Sequence, residues 1–376
     1  MITKIEYKNF RILKDVCCNL TQLTVIVGPN ASGKTSMLQG MQFLSQLSKK
    51  RSPEQISTIF GGPDSLDLVH STDGETLLEL KCFSDTEKFS FVAAESKSYS
   101  GLPRLPNSTW GAAVSRIHAL STQKPADEWQ DRNSASEEIS RVAFLQFEPK
   151  LMARPTYCED LRPDVMPTGE GLATALASIA LTNPDVFESL QNRLRQIVPH
   201  FRRLRFRRVK VSRDETEIIR IGEEAITRKV TREYPADMLI FDFDQRQDIP
   251  ATNVSEGTLL ALGLLTVLHS PSRPRIVLLD DIEKGLHPNA QRELIGMLRD
   301  ILRDQPDLQI VATSHSPYFL DFLDPSEVRL MAIGPDGFSR CGLLTDHPDF
   351  PKWKDEMTPG EMWSFFGEKW LVEEKV

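Results

Sequence analysis

The sequence predicts an α/β fold in which helices cover a parallel sheet. An apolar, β-branched stretch at 21–27 ends in Gly-Pro, as a short buried strand does, and a helix is expected from 33 to 47. Closer to the C-terminus we expect a helix, a strand, a helix and a strand in succession, at 256–268, 275–279, 288–302 and 309–313. Strands that alternate with helices in this way pair in parallel, because each crossover returns the chain to the same direction.

The N-terminal half adds strands and an insertion. Loose alternation of apolar and polar residues at 62–92 indicates antiparallel strands, so a mixed N-terminal sheet is expected beside the parallel core. Residues 94–140 are rich in Ser, Pro, Asn and Gln, which predicts an insertion of loops with one helix at 112–120. A further short strand is expected at 142–147.

The middle of the chain is predicted to change from helix to strand. Helical spacing runs through 169–198, where Asn183-Pro184 divides it into two helices. The stretch 201–240 then becomes strand-like. A helical and β insertion is therefore expected between the two halves of the core.

Composition excludes several classes of protein. The chain has 376 residues, 40% of them hydrophobic, which is enough for a core of two lobes or of one domain with a large insertion. No apolar run approaches the roughly 20 residues of a membrane span, and Met1–Glu6 lacks the apolar core of a signal peptide. The five cysteines include no C-x-x-C pair, so we expect no disulfide framework, no structural zinc and a cytoplasmic location.

The strongest motif lies between the first predicted core strand and its helix. Gly28 to Ser36 reads Gly-Pro-Asn-Ala-Ser-Gly-Lys-Thr-Ser and fits G-x-x-x-x-G-K-[ST]. Backbone N–H groups of such a loop and of the helix start surround phosphate oxygens, the lysine contacts the β- and γ-phosphates, and the hydroxyl ligates Mg²⁺. The predicted phosphate-binding residues are Gly28, Asn30, Ala31, Ser32, Gly33, Lys34, Thr35 and Ser36.

A second candidate group follows the strand at 275–279. Asp280 and Asp281 stand where the strand ends, at the edge of the sheet where α/β proteins bind ligands. Asp280 can hold Mg²⁺ opposite Thr35, and Asp281 can orient the attacking water. Glu283 is an alternative base, although it suits a supporting role in the turn. Alone, the segment would equally fit a strand that runs into an acidic turn.

Two further segments can contact phosphate. Ser255 and Gly257 open the helix at 256–268, and a capping serine at a helix start is either ordinary capping or part of an anion site. His315 directly follows the last core strand and can hydrogen-bond a γ-phosphate or the attacking water. By themselves, both segments are commonly structural.

Taken together, these motifs resemble the ABC-type P-loop ATPases, in the branch that contains SMC, RecF and OLD-like proteins. The order is the P-loop, Ser-Glu-Gly-Thr at 255–258, Asp-Asp-Ile-Glu-Lys-Gly-Leu-His-Pro at 280–288 and Thr-Ser-His-Ser-Pro at 313–317. The segment Ile5–Arg11 also resembles the first strand of this branch. The strings Gly-Leu-His-Pro and Ser-His-Ser-Pro are closer to stand-alone AAA family ATPases without a TOPRIM domain than to transporter ATPases.

The resemblance assigns roles to individual residues. Lys34 and Thr35 match Walker A, Asp280 matches the Walker B aspartate, and His315 matches the switch histidine. Ser255 and Gly257 match the signature motif, which in this superfamily contacts ATP held by the opposite subunit. Gly285-Leu286-His287 matches the D-loop region, and Gln146 is a weaker match with the glutamine that joins the Mg²⁺ shell.

The resemblance also implies ATP and Mg²⁺ as cofactors and a homodimer or higher homo-oligomer. We expect an ATPase N-terminal lobe at 1–150, a helical and basic arm at 151–235, an ATPase C-terminal lobe at 236–330 and a docking tail at 331–376. One departure is Asp281, since the family usually has Glu there. Aspartate is one methylene shorter, so hydrolysis could be slow or depend on a partner that tightens the site.

Two segments outside the nucleotide motifs are candidate partner contacts. Eight Arg and one Lys fall within the 21 residues from 193 to 213, without an acid among them, and suit nucleic-acid phosphates or an acidic protein, or form a solvated strand face. The candidate contacts are Arg202, Arg203, Arg205, Arg207, Arg208 and Lys210. Three of the five Trp residues lie in the tail from 350, either packed on the core or available for docking.

The predicted function is an ATP-binding and ATP-hydrolysing dimeric switch that controls an effector in trans. The effector would be a nuclease, of TOPRIM or HNH type, in bacterial defence against phage. The chain itself shows no nuclease set, since Asp242-Phe243-Asp244 reads as a strand within the ATPase. Two alternatives stay open: a DNA-repair ATPase that clamps DNA directly, and a nucleotide-binding scaffold that does not hydrolyse ATP.

Overall fold

The fold is described from a computed structural model of the chain. It describes residues 1–49, 75–84, 88–96, 134–160, 163–221, 224–269, 273–284 and 286–372. The chain divides into two compact units, the first formed by Met1–Phe144 with Pro274–Val376 and the second by Leu145–Arg273. Most of the predicted insertion at 94–140, including the helix expected at 112–120, lies outside the described residues.

The described part of the chain contains both strands and helices. The strands are β1 (Ile2–Phe10), β2 (Leu13–Asn19), β3 (Leu23–Val27), β4 (Glu75–Ser84), β5 (Lys88–Ser96), β6 (Val142–Leu145), β7 (Phe201–Ile221), β8 (Glu224–Phe243), β9 (Ile249–Pro250), β10 (Ile276–Leu279), β11 (Gln309–Ser314), β12 (Val328–Ile333) and β13 (Ser339–Leu343). The helices are α1 (Lys34–Ser48), α2 (Ser134–Ser140), α3 (Pro149–Met152), α4 (Leu172–Thr182), α5 (Pro184–Ile197), α6 (Glu256–Leu268), α7 (Pro288–Asp304), α8 (Pro317–Leu320), α9 (Phe350–Trp353) and α10 (Pro359–Phe366).

The core of the first unit is a six-stranded sheet with the order β13-β12-β3-β11-β10-β6. β3 pairs in parallel with β11 and β12, and β11 pairs in parallel with β10. Every residue of β3, β10 and β11 is buried, which is why apolar residues predominate in these strands. The predicted parallel core sheet is confirmed, with β13 as an antiparallel strand on β12 at one edge.

A second sheet carries the N-terminus, in the order β2-β1-β4-β5. All three of its pairings are antiparallel, because short connections join β1 to β2 and β4 to β5. This N-terminal sheet was expected to contain both parallel and antiparallel pairs. That combination occurs instead in the core sheet, where β13 pairs antiparallel with β12. Tyr7 on β1 is buried and donates to the Met37 carbonyl of α1 at 2.7 Å, which joins this sheet to the P-loop helix.

The second unit is built from a long hairpin and helices. β7 and β8 pair antiparallel from Phe201 to Phe243, a ribbon of roughly 65 Å at 3.3 Å per residue. The two helices predicted at 169–198 are α4 and α5, divided at Asn183-Pro184 as expected. No helix in the described part of the chain is long and apolar enough to cross a membrane.

Candidate functional site

The loop from Gly28 to Gly33 connects β3 to α1 at the carboxyl edge of the core sheet. Gly28 has φ 152° and Gly33 has φ 99°, both in the region that favours glycine. A Cβ at Gly28 would lie 2.2 Å from the carbonyl oxygen of Met331 on β12, so a side chain cannot be accommodated there. The motif therefore needs its glycines for close packing of the loop as well as for its turn.

Lys34 is turned into this loop. Its ammonium donates to the carbonyl oxygens of Gly28 and Pro29, each at 2.9 Å, and only 4% of the residue is exposed. Burial lowers the pKa of Lys34, while the carboxylates of Asp281 and Asp280 oppose that shift. The lysine thus lies among carbonyl oxygens and acidic groups at the position where the motif contacts phosphate.

Asp280 receives hydroxyl groups from two other elements. The Thr35 hydroxyl donates to both carboxylate oxygens, at 3.0 and 3.1 Å, and the Thr313 hydroxyl at the end of β11 donates to Oδ1 at 2.6 Å. Among the described residues no group of three or more His, Cys, Asp or Glu side chains could hold a metal ion. The Thr35 hydroxyl and the Asp280 carboxylate nevertheless suit Mg²⁺, because this ion needs only one or two carboxylates, a hydroxyl and the phosphates of its nucleotide.

Asp281 and His315 lie next to each other at the same edge. His315 Nε2 is 3.5 Å from Asp281 Oδ1, and their side chains are 36% and 41% exposed. The amide of Asp281 donates to the Thr313 hydroxyl at 2.8 Å, and Asp281 itself has φ 49°. Asp and Asn adopt this left-handed conformation more readily than Glu, so the local backbone suits the aspartate found here.

Glu283 is buried, and its side chain points toward the His315 backbone rather than toward solvent. Its Oε1 accepts a hydrogen bond from the backbone N–H of His315. Its Oε2 is buried and has no hydrogen-bond partner among the described residues. Of the two acids that follow Asp280, Asp281 is therefore the one exposed to a ligand, and Glu283 supports the turn that carries His315.

Three of the other predicted nucleotide residues, Ser255, Gly257 and Gln146, belong to the second unit. Ser255 caps α6, where its Oγ accepts from the Thr258 amide at 3.3 Å, and Gly257 lies in the first turn of that helix. Gln146 follows β6 and is exposed. Its backbone N–H donates to the Pro167 carbonyl at 2.8 Å. Gly285 lies outside the described residues, while His287 caps α7.

The arginine-rich segment (193–213) has acidic partners that its own sequence does not reveal. Asp242 on β8 accepts from Arg203 at 2.8 Å and from Arg205 at 2.6 Å, and these arginines hold the pKa of Asp242 far below its usual range. Further pairs are Arg195–Glu188, Arg202–Asp244, Arg205–Asp248, Arg207–Asp248, Arg208–Asp237 and Lys210–Glu233. No acid lies between 193 and 213 in the sequence, but in the folded hairpin β8 and the residues that follow it bring carboxylates opposite β7.

Two residues of the site were not predicted from the sequence. Thr313 contacts Asp280 and Asp281, and its place at the end of a core strand could have identified it. Ser339 on β13 donates from Oγ to the Ser32 carbonyl at 2.6 Å and holds the P-loop from the sheet edge. No motif surrounds Ser339, so sequence alone gave no signal for it.

Comparison with known proteins agrees with this geometry. The model of a family described as "AAA domain, putative AbiEii toxin, Type IV TA system" matches residues 23–321, a span that includes the P-loop, Asp280 and His315. The chain belongs to this family. A "Retron Vc95 probable ATPase" from Vibrio cholerae is 21% identical over an alignment of 390 residues, gaps included. The alignment covers 88% of this chain and 72% of that protein.

The solved structures that are similar include SMC heads. An Smc head bound to the C-terminal winged-helix domain of ScpA has a TM-score of 0.51 at 11% identity, covering 91% of this chain and 97% of the other. The SMC head domain of Thermotoga maritima has a TM-score of 0.45 at 13% identity, covering 91% and 98%. The structure with the TM-score of 0.51 has the fold of an SMC head, so this chain has an SMC head-like P-loop fold with the parallel core sheet that its motifs predicted.

Proposed function

We propose that this chain binds ATP with Mg²⁺, hydrolyses it, and acts as a dimeric switch for a separate effector. The observation that carries this proposal is the meeting of Thr35, Asp280, Asp281 and His315 at one edge of the core sheet. P-loop enzymes need these chemical groups together: a hydroxyl and a carboxylate for the metal, and polar groups near the attacking water.

Each group has a place in this proposal. The phosphates bind to the backbone of the P-loop and to Lys34, with contacts from Gly28, Asn30, Ala31, Ser32, Gly33, Thr35 and Ser36. Thr35 and Asp280 would hold Mg²⁺, and the bound ion would neutralise charge on the phosphates. The Thr313 hydroxyl fixes the orientation of the Asp280 carboxylate.

Asp281 orients the attacking water, and His315 contacts the γ-phosphate or that water. Both side chains are partly exposed and adjacent, so one bound group can reach both. Glu283 remains the alternative base, but its Oε1 already accepts from the His315 backbone. Since Asp281 is shorter than Glu, we expect slow turnover that increases when a partner closes the site.

The dimer is proposed to be two-fold, with equivalent surfaces on both subunits. In this arrangement Ser255 and Gly257 of one subunit contact ATP held at Lys34 of the other. The N-cap geometry of Ser255 supports the role, because the start of α6 carries N–H groups that favour an anion. ATP would then hold two chains together, and hydrolysis would release them.

The effector is proposed to be a nuclease of TOPRIM or HNH type in bacterial anti-phage defence, acting in the cytoplasm. Support comes from the relative named as a retron ATPase and from the toxin description of the family. Candidate contacts are the arginine-rich segment and the C-terminal tail. The ion pairs of that segment reduce its attraction for nucleic acid and favour a protein partner there over a DNA clamp.

A non-hydrolysing scaffold is the second candidate, and the Asp at position 281 favours it. One experiment on the purified chain distinguishes the ATP-hydrolysing switch from the scaffold. ATP binding and steady-state phosphate release are both measured with Mg²⁺. We expect binding and slow release in the wild type, no binding in Lys34→Ala, and binding without release in Asp281→Asn. Wild-type binding without any release would establish the scaffold, and absence of binding would contradict the whole proposal.

A further inference from the structure

The turn that carries His315 is held from one side by the core of the first unit. Glu283 Oε1 accepts the His315 amide, and the Ser316 hydroxyl donates to Gln291 Oε1 of α7 at 2.6 Å. Gln291 is itself buried and donates to the Leu286 carbonyl at 3.0 Å. This side of the turn is therefore fixed by residues that follow Asp280 in the chain.

The other side of the same turn is held by the C-terminal tail. Asp321, which follows α8, accepts through Oδ1 from the Thr358 hydroxyl at 2.6 Å and from the Gly360 amide at 3.1 Å. Thr358 also caps α10, where its Oγ accepts the Glu361 amide at 3.3 Å. One carboxylate thus joins the start of the tail helix to the segment that begins two residues after His315.

The packing at this junction leaves no room for a side chain. A Cβ on Gly360 would lie 2.1 Å from the Pro317 carbonyl oxygen and 2.3 Å from Asp321 Oδ1. Met362, one half-turn further along α10, is 1% exposed. The tail helix is therefore seated against α8 by close backbone contact as well as by hydrogen bonds.

Charge also links the tail to the nucleotide loop. Glu368, which follows α10, accepts from the Trp363 indole N–H at 3.2 Å. Its carboxylate is among the acidic groups that oppose the effect of burial on the pKa of Lys34. This contribution is the smallest of those that act on Lys34, so the tail is coupled mainly to the turn of His315.

We propose that Asp321, Thr358 and Gly360 form a clamp through which the tail helix positions His315 for hydrolysis. These are positioning residues, because they act on His315 through Pro317 and touch no nucleotide in the proposed site. The clamp rests on the proposed function, since it regulates the same site. A displacement of α10 would lower turnover without changing the affinity for ATP, because no phosphate-binding residue belongs to the clamp.

Two disruptive variants and two matched controls test the clamp. Thr358→Val removes the hydroxyl while keeping the shape, and Gly360→Ala places a methyl group against the Pro317 carbonyl. Thr358→Ser keeps the hydroxyl, and Ser364→Ala changes an exposed residue of α10 that lies outside the clamp. Steady-state phosphate release and hydrogen exchange of the amides at 314–323 are measured for each variant of the full chain.

We expect Thr358→Val and Gly360→Ala to lower kcat about tenfold, because small misplacement of a catalytic group is costly, with KM for ATP unchanged. Exchange at 314–323 should accelerate in both, and the two controls should match the wild type. A wild-type kcat in both disruptive variants, an equal loss in Thr358→Ser, or a rise in KM that accounts for the whole effect would overturn the clamp.

The clamp and the ATPase proposal fail separately. If the wild type releases no phosphate, the ATPase proposal fails, and the clamp is judged by exchange alone. Faster exchange at 314–323 in Thr358→Val but not in Thr358→Ser would then support the clamp. Equal exchange in the wild type and Thr358→Val would overturn it.

Discussion

Thr313 Oγ1 on β11 donates a 2.6 Å hydrogen bond to Oδ1 of Asp280, which directly follows β10, and Thr313 Oγ1 also accepts a hydrogen bond from the backbone N–H of Asp281 at 2.8 Å. One hydroxyl therefore fixes the carboxylate proposed for Mg²⁺ and the backbone of the residue proposed to orient water. Because β11 lies between β3 and β10, it connects the P-loop strand to the strand that carries the acids.

Replacement of Thr313 tests this connection. Thr313→Val should lower ATP turnover by about 10- to 100-fold, as loss of a group that orients a metal ligand commonly does. It should also raise the Mg²⁺ concentration needed for half-maximal activity. Thr313→Ser keeps the hydroxyl and should retain most of the activity. Equal Mg²⁺ dependence in the valine variant and the wild type would argue against an orienting role.

Asp242 offers a pH-dependent test of the arginine hairpin. Its ion pairs depress the folded-state pKa, so they contribute stability above the unfolded value of about 4, and this contribution is lost as the pH falls toward the folded pKa. Asp242→Asn should lower Tm by about 2–4 °C at pH 7.

The difference in Tm between wild type and Asp242→Asn should shrink below about pH 4, where the wild-type carboxylate begins to lose its advantage. Glu233→Gln removes only the exposed pair with Lys210 and should leave Tm nearly unchanged. A Tm difference that stays constant from pH 7 to pH 3 would contradict the assignment of this stability to Asp242.

The effector is expected to be a separate protein. The purified chain should not cleave DNA or RNA with Mg²⁺ or Mn²⁺ present, because the Asp242 and Asp244 carboxylates are engaged by arginines of the hairpin. Incubation of plasmid DNA and structured RNA with wild type and Lys34→Ala checks this. Cleavage by a homogeneous preparation, abolished in Asp242→Asn, would place a nuclease site in the chain itself.

Mixtures of two inactive variants test the composite sites. Lys34→Ala removes the phosphate contact and Ser255→Arg blocks the proposed contact with the other subunit. A dimer of one chain of each kind keeps one site with both its Lys34 and its Ser255 intact, so partial phosphate release should return on mixing. Inactivity at every ratio, with mixed dimers demonstrated, would show that the sites do not form in this way.

The sequence was sufficient to predict the parallel core and the position of the site in it. Gly28–Ser36, Asp280 and His315 each follow a buried strand, and parallel strands bring such residues to one edge. The contact of Ser339 with Ser32 spans 307 positions and depends on how the β12–β13 edge folds back on the P-loop. Only the folded sheet could reveal it.

The contacts made by the hairpin and by the tail were harder to predict from the sequence, for a related reason. The acids that pair with the arginines lie on β8 or just after it, and their match depends on the register of β7 against β8. The close contact between Gly360 and the Pro317 carbonyl likewise depends on tertiary packing, and no pattern in the local sequence indicates it.

The most direct test of the switch is the molar mass of the Asp281→Asn chain in solution, measured with Mg²⁺-ATP, with Mg²⁺-ADP and without nucleotide. Asp281→Asn should bind ATP without consuming it, and asparagine suits the left-handed backbone at this position. The account predicts a dimer with ATP, a monomer with ADP or no nucleotide, and a monomer in all three conditions when Ser255→Arg is added. An unchanged mass in the three conditions for Asp281→Asn alone would contradict an ATP-driven dimeric switch.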